Sequence, residues 1–320
     1  MKILIIRLSA IGDIFHTFTI LPDIRKVFKD VQIDWLVDES FVEVAKLSPL
    51  IDNVIPIPLK KWKKSKLSYL PNLIKYKKSL PKVNYDYIID TQSLIKTAVL
   101  SKFLFNGDIY GLDRNSAREP LASLFYDYKY NINQDNIAVI RLRGLIAKIF
   151  NLNHNLREFN FEVKPKPYLP NFDSKYILFL HGTSKENKKW AIDNWVDLSL
   201  WIISNTDKQI VVTHSNDSEY QFTQDLKDKL NSSRLTVIDK LKFAEFVDVV
   251  KHASLVVGVD TGFTHLANLL HIPTIAIYQA SDPNYVGMLE SDIAKNLGNK
   301  ESKVTSPQVI SCIQRILLEQ

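Results

Sequence analysis

The chain has 320 residues, 46% of them hydrophobic and 24% charged, which is enough apolar material for two buried cores and excludes a disordered or coiled-coil protein. Its one cysteine, Cys312, excludes an internal disulfide framework and a zinc site built on paired cysteines, and fits a reducing compartment. The net charge of +6 is unevenly spread: residues 60–82 hold nine lysines and no acid, so the remainder sums to −3. A local basic patch of this kind suggests an anionic partner met at one place.

The opening run 1–8 is too short for a signal-peptide core and no small-residue cleavage site follows it. Nowhere do about 18 apolar residues run together, so no membrane span is expected. The sequence reads as a cytoplasmic protein that would meet a membrane only from its surface.

In chain order, an apolar strand at 2–8 leads through Ser9-Ala10-Ile11-Gly12-Asp13 into a helix on which Ile14, Phe18, Leu21, Ile24 and Val27 share a face. Short apolar runs follow at 33–37, 54–57, 87–89 and 109–110, and 137–150 reads as an amphipathic helix. Three prolines within 164–171 break the pattern and predict a stiff linker. The second half restarts with strands at 176–180, 210–213, 235–238, 255–259 and 274–278, alternating with helices at 194–204, 218–230, 244–252 and 264–270. Alternation of this kind predicts two doubly wound α/β domains, 1–163 and 172–306, with ligands bound in a cleft at the carboxyl ends of their parallel strands. The segment 307–320 reads as a final helix able to pack back across the domain interface.

The densest motif is Gly258-Val259-Asp260-Thr261-Gly262-Phe263-Thr264-His265, where a buried strand meets a helix. Its glycines allow close backbone approach, and the free N–H groups of the helix favour an anion such as a diphosphate. A strand-to-helix turn capped by Asp260 or Thr261, with no ligand at all, explains the spacing equally well. His265, one helical turn on, suits either ligand contact or packing on a helix face. Asp13 opens the first helix, where a carboxylate can take a proton from an acceptor hydroxyl. Spacing alone favours the plainer reading, an acid stabilised by the helix dipole. The loop His181-Gly182-Thr183-Ser184-Lys185-Glu186-Asn187-Lys188-Lys189-Trp190 combines small hydroxyl residues with three lysines, which suits phosphate or a solvated loop alike. No G-x-G-x-x-G, Asp-x-Asp, G-x-S-x-G or phosphate-loop signature is present, and no nucleic-acid module accompanies the lysines.

These motifs converge on a family. The chain resembles the bacterial lipopolysaccharide heptosyltransferases of glycosyltransferase family 9, nearly end to end. The resemblance rests on Ile6-Arg7-Leu8-Ser9-Ala10-Ile11-Gly12-Asp13, Val54-Ile55-Pro56-Ile57 followed by a basic-Trp-basic segment, Ser116-Ala117-Arg118-Glu119-Pro120, Lys188-Lys189-Trp190, Val259 to His265, and Ser281-Asp282-Pro283. The Ala-Arg-Glu-Pro and basic-Trp-basic segments point to the type I branch. The resemblance implies two Rossmann-like domains of the GT-B architecture, an ADP-heptose donor in the C-terminal one and a Kdo2-lipid A acceptor in the N-terminal one. It also implies inverting transfer with no metal or other cofactor, at the cytoplasmic face of the inner membrane. By the same resemblance, Asp13 is the general base and Lys188 a catalytic ligand of the diphosphate. Thr183, Ser184, Asp260, Thr261, Gly262 and His265 contact the donor, with Glu219 near its ribose. Lys60, Lys61, Lys63, Lys64 and Arg118 hold anionic groups of the acceptor. All four basic residues around Trp62 are lysines where the family often has arginines, which implies looser acceptor selectivity. The rival readings are a sister transferase acting on a later core acceptor, and a non-catalytic binder of anionic lipid.

Overall fold

The computed structural model describes residues 1–63, 69–168 and 176–317. The chain divides into two compact units, Met1–Lys164 and Pro165–Gln320. The first carries β1 (Lys2–Ile6), β2 (Gln32–Asp38), β3 (Asn53–Ile57), β4 (Tyr87–Asp90), β5 (Ile109–Leu112) and β6 (Tyr128–Tyr130), and the second β7 (Tyr176–Leu180), β8 (Gln209–Thr213), β9 (Leu235–Ile238), β10 (Leu255–Val259), β11 (Thr274–Ile277) and β12 (Ala294–Leu297). Every named pairing is parallel. The orders are β3-β2-β1-β4-β5-β6 and β12-β11-β10-β7-β8-β9. Counted from its own first strand, each sheet therefore has the doubly wound Rossmann order, with the strand order reversing beside β1 and β4 in one unit and beside β7 and β10 in the other. Ile3 to Ile6 and all of Leu255–Val259 are buried, as strands covered by helices on both faces must be.

The first unit wraps its sheet with α1 (Ile11–Phe18), α2 (Leu21–Val27), α3 (Val42–Ala45), α4 (Leu59–Lys63), α5 (Tyr69–Ser79), α6 (Ile95–Leu104) and α7 (Ala138–Ile149). One apolar core gathers Leu4, Ile6, Ile88 and Ile109 of the sheet with Trp62, Leu73, Ala98, Leu100 and Ala122, so α4, α5, α6 and the 3-10 turn Pro120–Phe125 form one layer on it. Fully buried Arg143 of α7 grips both oxygens of Asp23 of α2, at 2.9 Å each. It also donates to the carbonyls of Asn155, Leu156 and Glu158, which fastens 155–158 to the fold.

The second unit contains α8 (Ile192–Asn205), α9 (Asp217–Leu230), α10 (Phe243–His252), α11 (Gly262–Leu269), α12 (Pro283–Val286) and α13 (Ser306–Leu317). The buried face of α13, with Val309, Cys312, Ile313 and Ile316, joins the core of Trp195, Leu198 and Ile202 of α8 within this same unit. In the proline-rich stretch, Lys166 N–H donates to the Ala244 carbonyl and Tyr168 N–H to Asp248, while residues 169–171 lie outside the described residues.

Three features depart from the sequence expectation. The single helix expected from Ile14 to Val27 is two, because Pro22 has no N–H to continue the ladder and instead starts α2. Thr19 ends α1 by donating its hydroxyl back to the His16 carbonyl at 2.6 Å. The edge strands β6 and β12 carry too few apolar residues to announce themselves.

Candidate active site

In doubly wound units ligands gather beyond the carboxyl ends of the strands that flank the reversal of strand order. In the second unit those strands are β7 and β10. Gly258 lets α11 lie close against β10, since a Cβ there would collide with the Thr264 hydroxyl, which donates to the Val259 carbonyl at 2.7 Å. Thr261 occupies the N-cap position but makes no side-chain capping bond. Thr264 N–H bonds the Thr261 carbonyl at 3.1 Å, so α11 opens directly beyond Asp260, where its dipole favours an anion.

Asp260 organises the rest. Its Oδ2 accepts from Lys188 Nζ at 2.6 Å and from the Ser281 hydroxyl, while Oδ1 faces His265 Nε2 at 3.9 Å. The Thr183 hydroxyl donates to the Asp260 carbonyl at 3.2 Å, tying the loop after β7 to the loop after β10. Burial acts to raise the Asp260 pKa. The approach of His265, hydrogen bonds from Lys188 and Ser281 and the Lys188 charge outweigh it and hold the group well below the usual carboxylate range. Asp260 is thus an anion that holds the ammonium of Lys188 beside the residue two before the start of α11. Trp190, buried against Trp195 and donating to the Val304 carbonyl, anchors the loop that carries Lys188.

Ser184 is exposed one residue beyond Thr183. Glu219 stands in the first turn of α9, its Oε2 holding both the N–H and the hydroxyl of Ser215 at 2.7 Å. Its Oε1 comes so close to Gly182 that a Cβ there would lie 2.6 Å away. Fold therefore gathers Thr183, Lys188, Asp260, Thr261, Gly262 and His265, with Ser281 added and Glu219 beside the tip of β7. His181, the first residue of the loop whose composition suits phosphate or solvent alike, is buried. Its Nε2 bonds the Thr213 carbonyl at 3.0 Å, its ring stacks on Phe222, and burial lowers its pKa to about 4.

In the first unit the flanking strands are β1 and β4. Asp13 lies in the first turn of α1, 3.7 Å from the guanidinium of buried Arg7. Arg7 also donates to the Thr17 hydroxyl, which donates in turn to the Asp13 carbonyl. Burial lowers the Arg7 pKa, Asp13 and Asp90 oppose that, and the nearby charges of Arg118 and Arg141 push it further down. Arg118 and Arg141 therefore act on Arg7, the ion-pair partner of Asp13, and of these three arginines sequence reading had singled out only Arg118. Arg7 could have been noticed as a charge at the end of an otherwise apolar strand; Arg141 carried no signal. Fully buried Asp90 ends β4, with a pKa raised by burial against the pull of hydrogen bonds from Thr97, Tyr126, Gln92 and Ser93. Gln92, held this way, accepts from Leu8 N–H and donates to the Ser9 carbonyl, so Asp90 sets the loop that leads to Asp13.

The lysine window is less bare in space than in sequence. Lys61 pairs with Glu39 at 2.9 Å, and Lys60 bonds the Ser40 hydroxyl at 2.9 Å with Asp38 at 3.9 Å. The acids come from the turn after β2, some 20 residues upstream. Trp62 is buried, edge-on to Tyr69 and Tyr76, while Lys60 and Lys61 just before it are exposed. The Lys63 side chain and Lys64 lie outside the described residues. Among the described residues no group of three or more His, Cys, Asp or Glu side chains could hold a metal ion, and no helix is long and apolar enough to cross a membrane.

Residues 73–312 match the family model of glycosyltransferase family 9 (heptosyltransferase). The chain is 31% identical over 292 residues to lipopolysaccharide heptosyltransferase 1 of Salmonella typhimurium, covering 90% of this chain and 91% of that one. It is 32% identical over 310 residues to the Campylobacter coli protein of the same name, covering 92% and 88%. Among solved structures, E. coli heptosyltransferase WaaC with ADP superposes with a TM-score of 0.85 at 28% identity, covering 99% of this chain and all of that one. The same enzyme with ADP-2-deoxy-2-fluoro heptose gives 0.82 at 29% identity, covering 98% and 99%. Two Rossmann-like units of the GT-B class agree with these matches: the chain is a glycosyltransferase belonging to family 9, the heptosyltransferases.

Proposed function

We propose that this chain transfers L-glycero-D-manno-heptose from ADP-heptose to a Kdo residue of Kdo2-lipid A, with inversion and without a metal, in assembly of the lipopolysaccharide inner core. The observation that carries the reading is the second unit's cluster: Lys188 fixed by Asp260, which Ser281 holds in turn, just ahead of the N-terminus of α11, with no side-chain capping bond from Thr261. Such an arrangement suits a diphosphate whose charge grows as the glycosidic bond breaks, so it stabilises the transition state more than the ground state. Thr183 and Ser184 line the same loop, His265 the same helix, and Glu219 has one oxygen left for a ribose hydroxyl.

In the single displacement, Asp13 takes the proton of a Kdo hydroxyl as that oxygen forms its bond to the anomeric carbon. The bond to the diphosphate oxygen breaks and ADP departs with the electron pair. Arg7 orients Asp13, while Arg118, Arg141 and the lysines around Trp62 receive the carboxylates and phosphates of an acceptor borne on the cytoplasmic face of the inner membrane. The test is ADP release from ADP-heptose with and without Kdo2-lipid A in the presence of a chelator. Release that requires the acceptor and survives the chelator is the expected result; no release whether the acceptor is present or absent would sink the reading. Asp13→Asn should lower turnover about 10²–10⁴-fold, the typical loss for a proton-transfer group, with ADP affinity unchanged.

A further inference from the structure

Among the described residues, six exposed large aliphatic side chains lie on one layer of the first unit: Leu70 and Ile74 on α5, Ile95 and Val99 on α6, and Leu121 and Leu124 on the 3-10 turn. Leu200 is the one such leucine, isoleucine or valine exposed elsewhere. Their spacing is not scattered. Leu70 and Ile74, like Ile95 and Val99, are four apart and share a helix face, and residues three apart on a 3-10 turn eclipse, which stacks Leu121 over Leu124. Leu124 is 71% exposed and Leu121 53%.

The three elements are held side by side. Ile95 N–H donates to Glu119 at 2.7 Å, and Lys102 of α6 pairs with Asp127 at 3.0 Å, so α6 and the turn are clipped together at both ends. Lys77 of α5 lies 4.6 Å from the ring centre of Phe103 on α6. All three cover the same core, so their outward faces make one surface. Glu119 and Asp127 are engaged in these clips, while α5 exposes Lys75, Lys77 and Lys78 with no acid, and Arg114 and Arg118 stand exposed just before the turn.

An apolar surface of this kind rimmed by cations is the make-up of a face that rests in the headgroup region of an anionic bilayer. We propose that the outer face of α5, α6 and the turn Pro120–Phe125 docks on an anionic phospholipid bilayer, with Leu121 and Leu124 reaching the acyl boundary and the lysines and arginines meeting headgroup phosphates. Arg118, three residues before Leu121, then stands at the membrane surface, where a lipid-anchored sugar would be presented to Asp13. This inference rests on the proposed membrane-borne acceptor, and adds to the lysine segment around Trp62 a second, apolar contact.

The experiment is flotation of the full chain with vesicles of zwitterionic phosphatidylcholine, or of phosphatidylcholine mixed with phosphatidylglycerol, with no sugar acceptor present. The wild type should float with the mixed vesicles and keep part of that binding in high salt, which removes the contribution of charge alone. Leu121→Gln/Leu124→Gln should lose about a hundredfold in partitioning, about tenfold per leucine withdrawn, and Ile95→Gln/Val99→Gln should weaken it in the same direction. ADP affinity should stay unchanged in both, which checks the fold. Variants that float like the wild type would overturn the proposal. So would a wild type that is a dimer in solution while the leucine variant is a monomer, since a second copy would then cover the face. A wild type that floats yet transfers no heptose to Kdo2-lipid A would remove the acceptor reading and leave the docking face standing.

Discussion

The pair Lys188–Asp260 serves two ends, and a double substitution separates them. Lys188 is 22% exposed and Asp260 9%, at 2.6 Å. Removing one member of a fully buried pair costs about 3–5 kcal/mol, chiefly because the other charge is left unpaired. The partial exposure of Lys188, and the Ser281 hydroxyl that stays on Asp260, reduce this to about 2–3 kcal/mol for Lys188→Met. For a unit of this size that is a fall of roughly 5–10 °C in the unfolding midpoint. Removing the ammonium should also lower turnover about 10²–10³-fold, as loss of one transition-state charge partner does elsewhere. Adding Asp260→Asn takes away the stranded carboxylate. The double variant should therefore regain most of the lost thermal stability, read by calorimetry, while turnover, read as ADP release, stays as low as in Lys188→Met alone. If stability and turnover recover together, Lys188 acts only by neutralising Asp260 and its role toward the diphosphate falls. Should Lys188→Met leave turnover intact, the electrostatic argument for the site fails outright.

Other consequences follow from single contacts. Glu39→Gln frees Lys61 from its 2.9 Å partner. Because an exposed pair is worth about 0–1 kcal/mol, stability should hardly move, while KM for an anionic acceptor should fall by up to about threefold in initial-rate assays. A KM that rises would mean that Glu39, not Lys61, meets the acceptor. His181 has its folded pKa lowered to about 4 from 6.5, so the folded state takes up the proton less readily than the unfolded chain. Its contribution to stability is complete above pH 6.5, declines as the pH falls and is gone near pH 4, a loss of about 3 kcal/mol at full extent. Thermal melts between those limits should show the decline, and His181→Phe should flatten it while lowering the neutral-pH midpoint through the unpaired Thr213 carbonyl. A pH profile unchanged by the substitution would assign the decline to another group.

What could be read in the sequence was whatever two neighbouring elements settle between them. The strand-to-helix turn at Asp260–His265 carries its glycines, its hydroxyls and its helix within a few residues, so its place at the end of β10 was visible before any fold was known. Asp13 was visible for the same reason, at the junction of β1 and α1. Partners brought in by topology were not. Ser281 reaches Asp260 across 21 residues because β11 pairs beside β10, and Lys188 reaches it across 72 because β7 does. The lysine window looked free of acids because charge was counted along the chain, whereas β2 and β3 pair in parallel and set the turn after β2, with Asp38 and Glu39, beside the lysines that follow β3. Nor could periodicity tell Pro22 inside one helix from Pro22 at the start of the next, since the apolar spacing runs through both; only the missing N–H decides it. The same logic explains why the exposed leucines escaped notice. Leu121 and Leu124 look like ordinary core residues in sequence, and Ala122 between them is indeed buried. Their meaning depends on which side of a 3-10 turn faces the sheet, and that is fixed by the clips from Glu119 and Asp127 to α6, residues that no local pattern connects.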